Sequence, residues 1–190
     1  MKFTFDEPKA AQAAGHLLRR HGDAMSMLLL MKLLYLSERD SLLKNGRPLT
    51  GADLYSLPFG PVPSQVYDLA KGAKVKSASW QKMIQREGTG NDTRVVLLSD
   101  PGADRLSQFD IQVLDGIDEQ FGNREPWALS FLTHDVNVCP EWKDPHGSSA
   151  PIRPEDIFRL WGVSKEEIDV LAREADSHWE FDQALARAAG

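Results

Sequence analysis

The order of apolar and polar positions predicts helices over most of the 190 residues. Alanines and leucines repeat at helical spacing between residues 10 and 18, after Asp6, a residue type that caps helix N-termini. Between residues 27 and 36 every position except Lys32 is apolar or aromatic. That stretch predicts a helix over about 24–44 that is buried on most of its sides.

The remaining elements are shorter. Glycine and proline punctuate residues 45–63, which predicts irregular structure, and residues 139–151 read as a loop for the same reason. A hairpin is expected from segments 79–86 and 93–98. Further helices are predicted at 64–71, 108–121, 125–134, 154–161 and 164–176, with a last one to about 188. We therefore expect a mainly α (α+β) fold, a compact helical domain around a buried central helix with one small β-hairpin.

Length and charge refine this interpretation. A chain of 190 residues suits one domain, which we place at residues 1–160, with a helical extension at 161–190 packed on it. The net charge of -6 divides unevenly, with 14 Lys+Arg against 9 Asp+Glu in residues 1–95 and 8 against 19 in residues 96–190. The acidic half indicates either a charged interaction partner or a solvated acidic helix surface.

Several classes of protein are excluded by the same inventory. The N-terminus has no signal-peptide pattern, and the longest apolar stretch is half of the roughly 20 residues that a membrane span needs. The single cysteine, Cys139, cannot form an internal disulfide, which suits a reducing compartment. We expect a cytoplasmic protein without a membrane partner.

Catalytic and metal-binding patterns are weak. His134, Asp144 and His146 lie near Cys139 in sequence, but the spacings match no common zinc framework and no nucleophile-elbow motif occurs. We expect no enzyme activity, no catalytic residue, no metal and no cofactor.

A basic stretch without acidic residues favours a different hypothesis. Residues 71–86 contain five cations and an aromatic side chain: Lys71, Lys74, Lys76, Trp80, Lys82 and Arg86. Such a stretch beside a hairpin suits phosphate contact and base stacking, and therefore a DNA-binding regulator. It equally suits a sheet edge that lysines protect from aggregation.

Short motifs in a fixed order resemble the Panacea domain, the domain of SocA-like antitoxins. They are KLLY at 32–35, GRPL at 46–49, FGPV at 59–62, Tyr67, TH at 133–134 and PEW at 140–142. The resemblance spans about residues 25–160. It implies a non-catalytic bacterial or phage protein that neutralises a cognate protein toxin by direct binding. It also implies a proteolytic adaptor role, in which the toxin is presented to an AAA+ protease.

The motifs suggest where a partner binds. Lys32, Tyr35 and Arg39 share one helix face, and we expect this polar-tipped stripe to lie near Phe59 and Gly60. The stripe is either structural or partner-facing, because aromatic and arginine side chains anchor many interfaces. The candidate partner-binding residues are Lys32, Tyr35, Arg39, Phe59, Gly60 and Trp80. The alternative function is DNA binding through the 71–86 hairpin region.

Overall fold

A computed structural model describes residues 1–72 and 79–188, which form eight α-helices and six short strands. The helices are Glu7–Arg20 (α1), Met27–Asn45 (α2), Ser64–Ala70 (α3), Trp80–Met83 (α4), Gln108–Phe121 (α5), Pro126–Leu132 (α6), Pro154–Leu160 (α7) and Lys165–Ala188 (α8). The strands are Ala24–Ser26 (β1), Leu54–Leu57 (β2), Gly60–Pro63 (β3), Ile84–Glu87 (β4), Arg94–Leu97 (β5) and Ala150–Ile152 (β6). The mainly α (α+β) class is confirmed.

The central helix α2 forms the middle of the core. Its side chains from Leu29 to Arg39 are all buried, because α1, α5, α6, α7 and the β3 strand pack around it. A helix that is apolar on every side has no face left for water, which explains this position. It begins at Met27 and not at 24 as predicted, because residues 24–26 pair with β5 as a strand. It ends at Asn45, and Gly46, with a φ of +70°, caps its C-terminus.

Two three-stranded antiparallel sheets flank the helices. The first has the order β1-β5-β4 and contains the predicted hairpin, although residues 80–83 are helical and not extended. The second, in the order β3-β2-β6, was not predicted, since residues 45–63 and 139–151 were expected to be irregular. Its β3 strand holds Pro61 and Pro63, which an edge strand accommodates because one side of its backbone needs no partner.

The C-terminal residues form one continuous helix, α8, where two helices were predicted. A capping box starts it. The backbone N–H and hydroxyl of Ser164 donate to the Glu167 carboxylate, and the backbone N–H of Glu167 donates to the Ser164 hydroxyl. The helix lies against the N-terminus, where the Lys2 ammonium sits 4.5 Å from the centroid of the Trp179 ring. The boundary at residues 160 and 161 stays a prediction. Within the described part of the chain, no helix combines the length and the apolar composition that crossing a membrane requires.

Candidate functional site

Five aromatic rings form a continuous row on the surface, which we call the aromatic row. Its members in order are Phe59, Trp127, Phe131, His134 and Trp142, with neighbouring ring centroids 5.2, 6.5, 6.3 and 4.1 Å apart. Phe59 is 59% exposed and Phe131 is 67% exposed. Trp127, His134 and Trp142 are half-buried, so the row combines two exposed rings with three partly covered ones. Connected apolar surface of this kind is a candidate interaction surface.

The short helix α6 supplies the middle of the row. Trp127 and Phe131 stand four residues apart and so share one face, while Leu129 and Ser130 are buried toward the core. Proline at the first position and the Glu125 side chain, which accepts a hydrogen bond from the Trp127 N–H at 3.0 Å, start the helix. The sequence therefore sets which side of α6 faces solvent.

The tip of the β2–β3 hairpin carries Phe59, and three side chains from elsewhere hold its backbone. Ser130 donates a hydrogen bond to the Phe59 carbonyl at 2.8 Å. The Lys32 ammonium donates to the Pro61 carbonyl at 2.9 Å, and the Trp142 indole donates to the Leu57 carbonyl at 3.1 Å. The tip is thus fixed by α6, by α2 and by the turn at 139–142, and its exposed ring is pre-positioned.

Gly60 is required at this tip. Its φ is +93°, a conformation that other residues rarely adopt. A Cβ atom there would also lie 3.0 Å from the Lys32 ammonium nitrogen and would overlap the Thr133 hydroxyl. Glycine therefore lets the hairpin approach α2 and the end of α6 closely.

A buried carboxylate organises the turn that carries Trp142. Glu141 accepts hydrogen bonds from the Tyr35 hydroxyl at 2.5 Å, from the Arg39 guanidinium at 3.1 Å and from the Trp161 indole at 3.2 Å. The Arg39 guanidinium also lies 4.9 Å from the centroid of the Trp161 ring. A buried charge is tolerated when it is paired and hydrogen-bonded in this way.

The lone cysteine is buried in the same turn. Arg39 donates to the Val138 carbonyl at 2.6 Å and lies 3.1 Å from the Cys139 sulfur. Burial raises the pKa of the Cys139 thiol to about 12, so the thiol stays neutral at physiological pH. Since the thiolate is the reactive form, burial disfavours reaction at this cysteine.

Two nitrogen bases, Lys32 beneath the row and His134 within it, have lowered pKa values. Burial lowers the pKa of Lys32, which is 1% exposed, to about 7. Burial, together with the nearby Lys32 charge, also lowers the pKa of His134. The buried Nε2 atom of His134 has no hydrogen-bond partner among the described residues. Desolvation disfavours the charged form of each base.

The structure brings five of the six predicted partner-binding residues together. Lys32, Tyr35, Arg39 and Gly60 lie beneath the aromatic row, and their burial leaves Phe59 as the member with a largely exposed side chain. Trp80 lies elsewhere, 2% exposed, and its backbone N–H donates to Glu7 on α1 at 2.5 Å. Partner contact by these six residues stays a prediction, and the buried ones are suited to positioning the surface.

Sequence reasoning missed Trp127 and Phe131 as site residues. Their spacing of four within the predicted helix 125–134 was the available signal. His134 and Trp142 entered only as parts of motifs. Without a fold, nothing indicated that these rings would meet Phe59.

The structure describes only part of the basic stretch at residues 71–86. Lys74 and Lys76 lie outside the described residues, and Lys82 and Arg86 are exposed. Because the Trp80 ring is buried, it is not presented for stacking on a base. DNA binding through 71–86 stays a prediction without a structural observation that favours it.

Comparison with known proteins identifies the family. The family described as "Antitoxin SocA-like, Panacea domain" matches residues 30–143, from the first turn of α2 to just beyond the turn that carries Trp142. No curated protein and no solved structure matches the chain. The matched region covers more than half of the 190 residues and includes the whole aromatic row and the side chains that hold it. The chain belongs to the SocA-like antitoxin family that carries the Panacea domain.

Proposed function

We propose that this protein is an antitoxin that neutralises a cognate protein toxin by direct binding, and that the aromatic row is the surface that binds it. The family implies the toxin partner. The observation that carries the surface assignment is the row itself, with Phe59 and Phe131 mostly exposed next to Trp127. Tryptophan, tyrosine and arginine dominate binding hot spots, and aromatic rings are enriched across interface cores.

The way the row is held supports the same proposal. The backbone of the hairpin tip that carries Phe59 is fixed by hydrogen bonds from Ser130, Lys32 and Trp142. Side chains that are already ordered lose little conformational entropy when a partner binds. A rigid exposed row therefore favours binding over a merely structural role.

The acidic residues of helix α8 suggest how the toxin is attracted to the antitoxin. Helix α8 carries seven carboxylates against three basic side chains, and most of its surface is exposed. We propose that this acidic surface steers a basic toxin toward the antitoxin, because complementary charge accelerates association. The association rate should then fall as salt is added, while the dissociation rate changes little.

Co-expression with the product of the adjacent gene tests the function. Wild-type antitoxin should restore growth, and Phe59→Ala with Phe131→Ala should not. Leu98→Ala is the matched control, because Leu98 is 53% exposed and lies outside the row. The proposal fails if the neighbouring product is harmless alone, or remains toxic beside the wild-type antitoxin.

Delivery to an AAA+ protease is a separate proposal with a separate readout. It requires that the half-life of the toxin shorten when the antitoxin and the active protease are both present. Full neutralisation with unchanged toxin turnover would leave direct masking as the mechanism.

A further inference from the structure

A cleft of about 750 Å³ opens beside the aromatic row. It lies between the start of α2, the β2–β3 hairpin, α3 and the loop at 88–93, and Phe59 and Trp127 line both the cleft and the row. Leu28, Met31 and Tyr67 contribute further apolar wall. A partner that covers the row therefore also reaches the mouth of the cleft.

The charged side chains that line the described part of the cleft are all basic. Lys71 and Arg86 are exposed cations among its described lining residues, whereas Lys32 is buried with its side chain bonded to the Pro61 carbonyl. No described lining residue is acidic. Lys71 forms an exposed pair with Asp68 at 3.0 Å, but such a pair is worth little and exchanges readily. Arg86 is exposed and has no ion-pair partner among the described residues. The cleft thus combines apolar walls with cationic side chains.

We propose that this cleft receives an acidic amphipathic segment of the toxin, with apolar side chains against Leu28, Tyr67 and Trp127 and carboxylates against Lys71 and Arg86. The inference rests on the proposed antitoxin function and adds the chemistry of the toxin element that is recognised. The aliphatic part of the lining, with Leu28 and Met31, favours a protein segment over nucleic acid, whose binding surfaces are more polar. Burial of carboxylates beside lysine and arginine satisfies their charge.

Photo-cross-linking locates the occupant. Benzoylphenylalanine is introduced at Asn91, an exposed residue that lines the cleft, at Phe131 in the row, and at Asn123 as a distant control. With the product of the adjacent gene as the probe, Asn91 should cross-link to a toxin peptide rich in Asp or Glu and apolar residues. A basic toxin peptide, helix α8 of a second antitoxin copy, or no cross-link from Asn91 would overturn the inference.

Charge reversal gives an independent measurement. Lys71→Glu with Arg86→Glu should weaken toxin binding at least tenfold and reduce its dependence on salt. Lys82→Glu with Arg94→Glu is the matched control, because it reverses two exposed cations that do not line the cleft. Equal losses for the two pairs would contradict the inference. If cross-links form from Phe131 alone, the antitoxin function stands and the cleft inference falls, whereas no binding by the wild type overturns both.

Discussion

The hydroxyl of Tyr35 donates a 2.5 Å hydrogen bond to the buried carboxylate of Glu141, which lies 106 residues further along the chain. This bond joins the central helix α2 to the turn that carries Trp142, one end of the aromatic row. Arg39, one turn after Tyr35 on α2, contacts the same carboxylate. The polar stripe of α2 therefore acts within the protein and shapes the surface above it.

Removing the hydroxyl of Tyr35 tests that role. Tyr35→Phe should lower the free energy of unfolding by about 1.5–3 kcal/mol, because the bond is made to a charged acceptor and its loss leaves that acceptor under-satisfied. Urea denaturation measures the change. Tyr55→Phe is the control, since the Tyr55 hydroxyl has no hydrogen bond to a described residue. Equal stability of the two variants would show that the Tyr35 bond contributes nothing.

Lys32 should give stability a pH dependence just above neutrality. Its pKa is about 7 in the folded protein and 10.5 ordinarily, so between these values the unfolded chain binds more protons. The free energy of unfolding therefore rises with pH in that range, by up to about 2 kcal/mol between pH 7 and 8.5. The window stops there because the Cys139 thiol, with an ordinary pKa of 9.0, titrates in the unfolded chain above it.

Lys32→Met isolates this contribution. The variant keeps an unbranched side chain but has no group to titrate, so wild type should gain stability relative to the variant as pH rises from 7 to 8.5. Denaturation curves at fixed pH values measure the difference. A difference that stays constant across the window would contradict a lowered Lys32 pKa.

Below neutrality, Glu38 should make the free energy of unfolding fall as pH rises, which is opposite to the effect of Lys32. Burial raises its pKa from 4.5 to about 7, although the Thr50 N–H and hydroxyl donate to it. Between these pH values the folded protein holds a proton that the unfolded chain releases. The contribution of Glu38 to the free energy of unfolding therefore falls as pH rises, by about 2 kcal/mol between pH 5 and 7.

Glu38→Gln removes this titration and keeps an oxygen for the Thr50 N–H. Relative to the variant, wild type should lose stability steadily from pH 5 to 7 in thermal or urea unfolding. Parallel stability curves for the two proteins would show that the Glu38 carboxyl does not take up a proton on folding.

Gly60→Ala should disturb the hairpin tip. The positive φ and the collision with Thr133 predict a loss of about 1–3 kcal/mol in the free energy of unfolding. Toxin affinity should fall as well, because Phe59 is the preceding residue. Gly72→Ala is a matched control with a φ of +77° and no atom of a described residue within 4 Å of the added methyl group. A smaller loss at Gly60 than at Gly72 would contradict the close packing.

The spacing of apolar residues predicted the helices whose formation depends on neighbouring residues in the sequence. The central helix was recognisable because a long apolar run without β-branched residues has few alternatives, and α5 began and ended as its periodicity indicated. The sheet β3-β2-β6 was missed because it pairs Leu54 with Ile152, 98 residues further along the chain, and places prolines on an edge strand. The stripe from Lys32 to Arg39 was found, but its burial depends on Glu141 and Pro61, which only the tertiary fold brings to it.

The most direct test of the account is the affinity of the purified antitoxin for the product of the adjacent gene. We predict that Phe59→Ala with Phe131→Ala weakens binding at least 100-fold, since each hot-spot aromatic contributes about 2 kcal/mol or more. Both side chains are mostly exposed, so the melting temperature of the free antitoxin should stay close to that of wild type. Unchanged affinity in the folded double variant would contradict the assignment of the aromatic row as the toxin-binding surface.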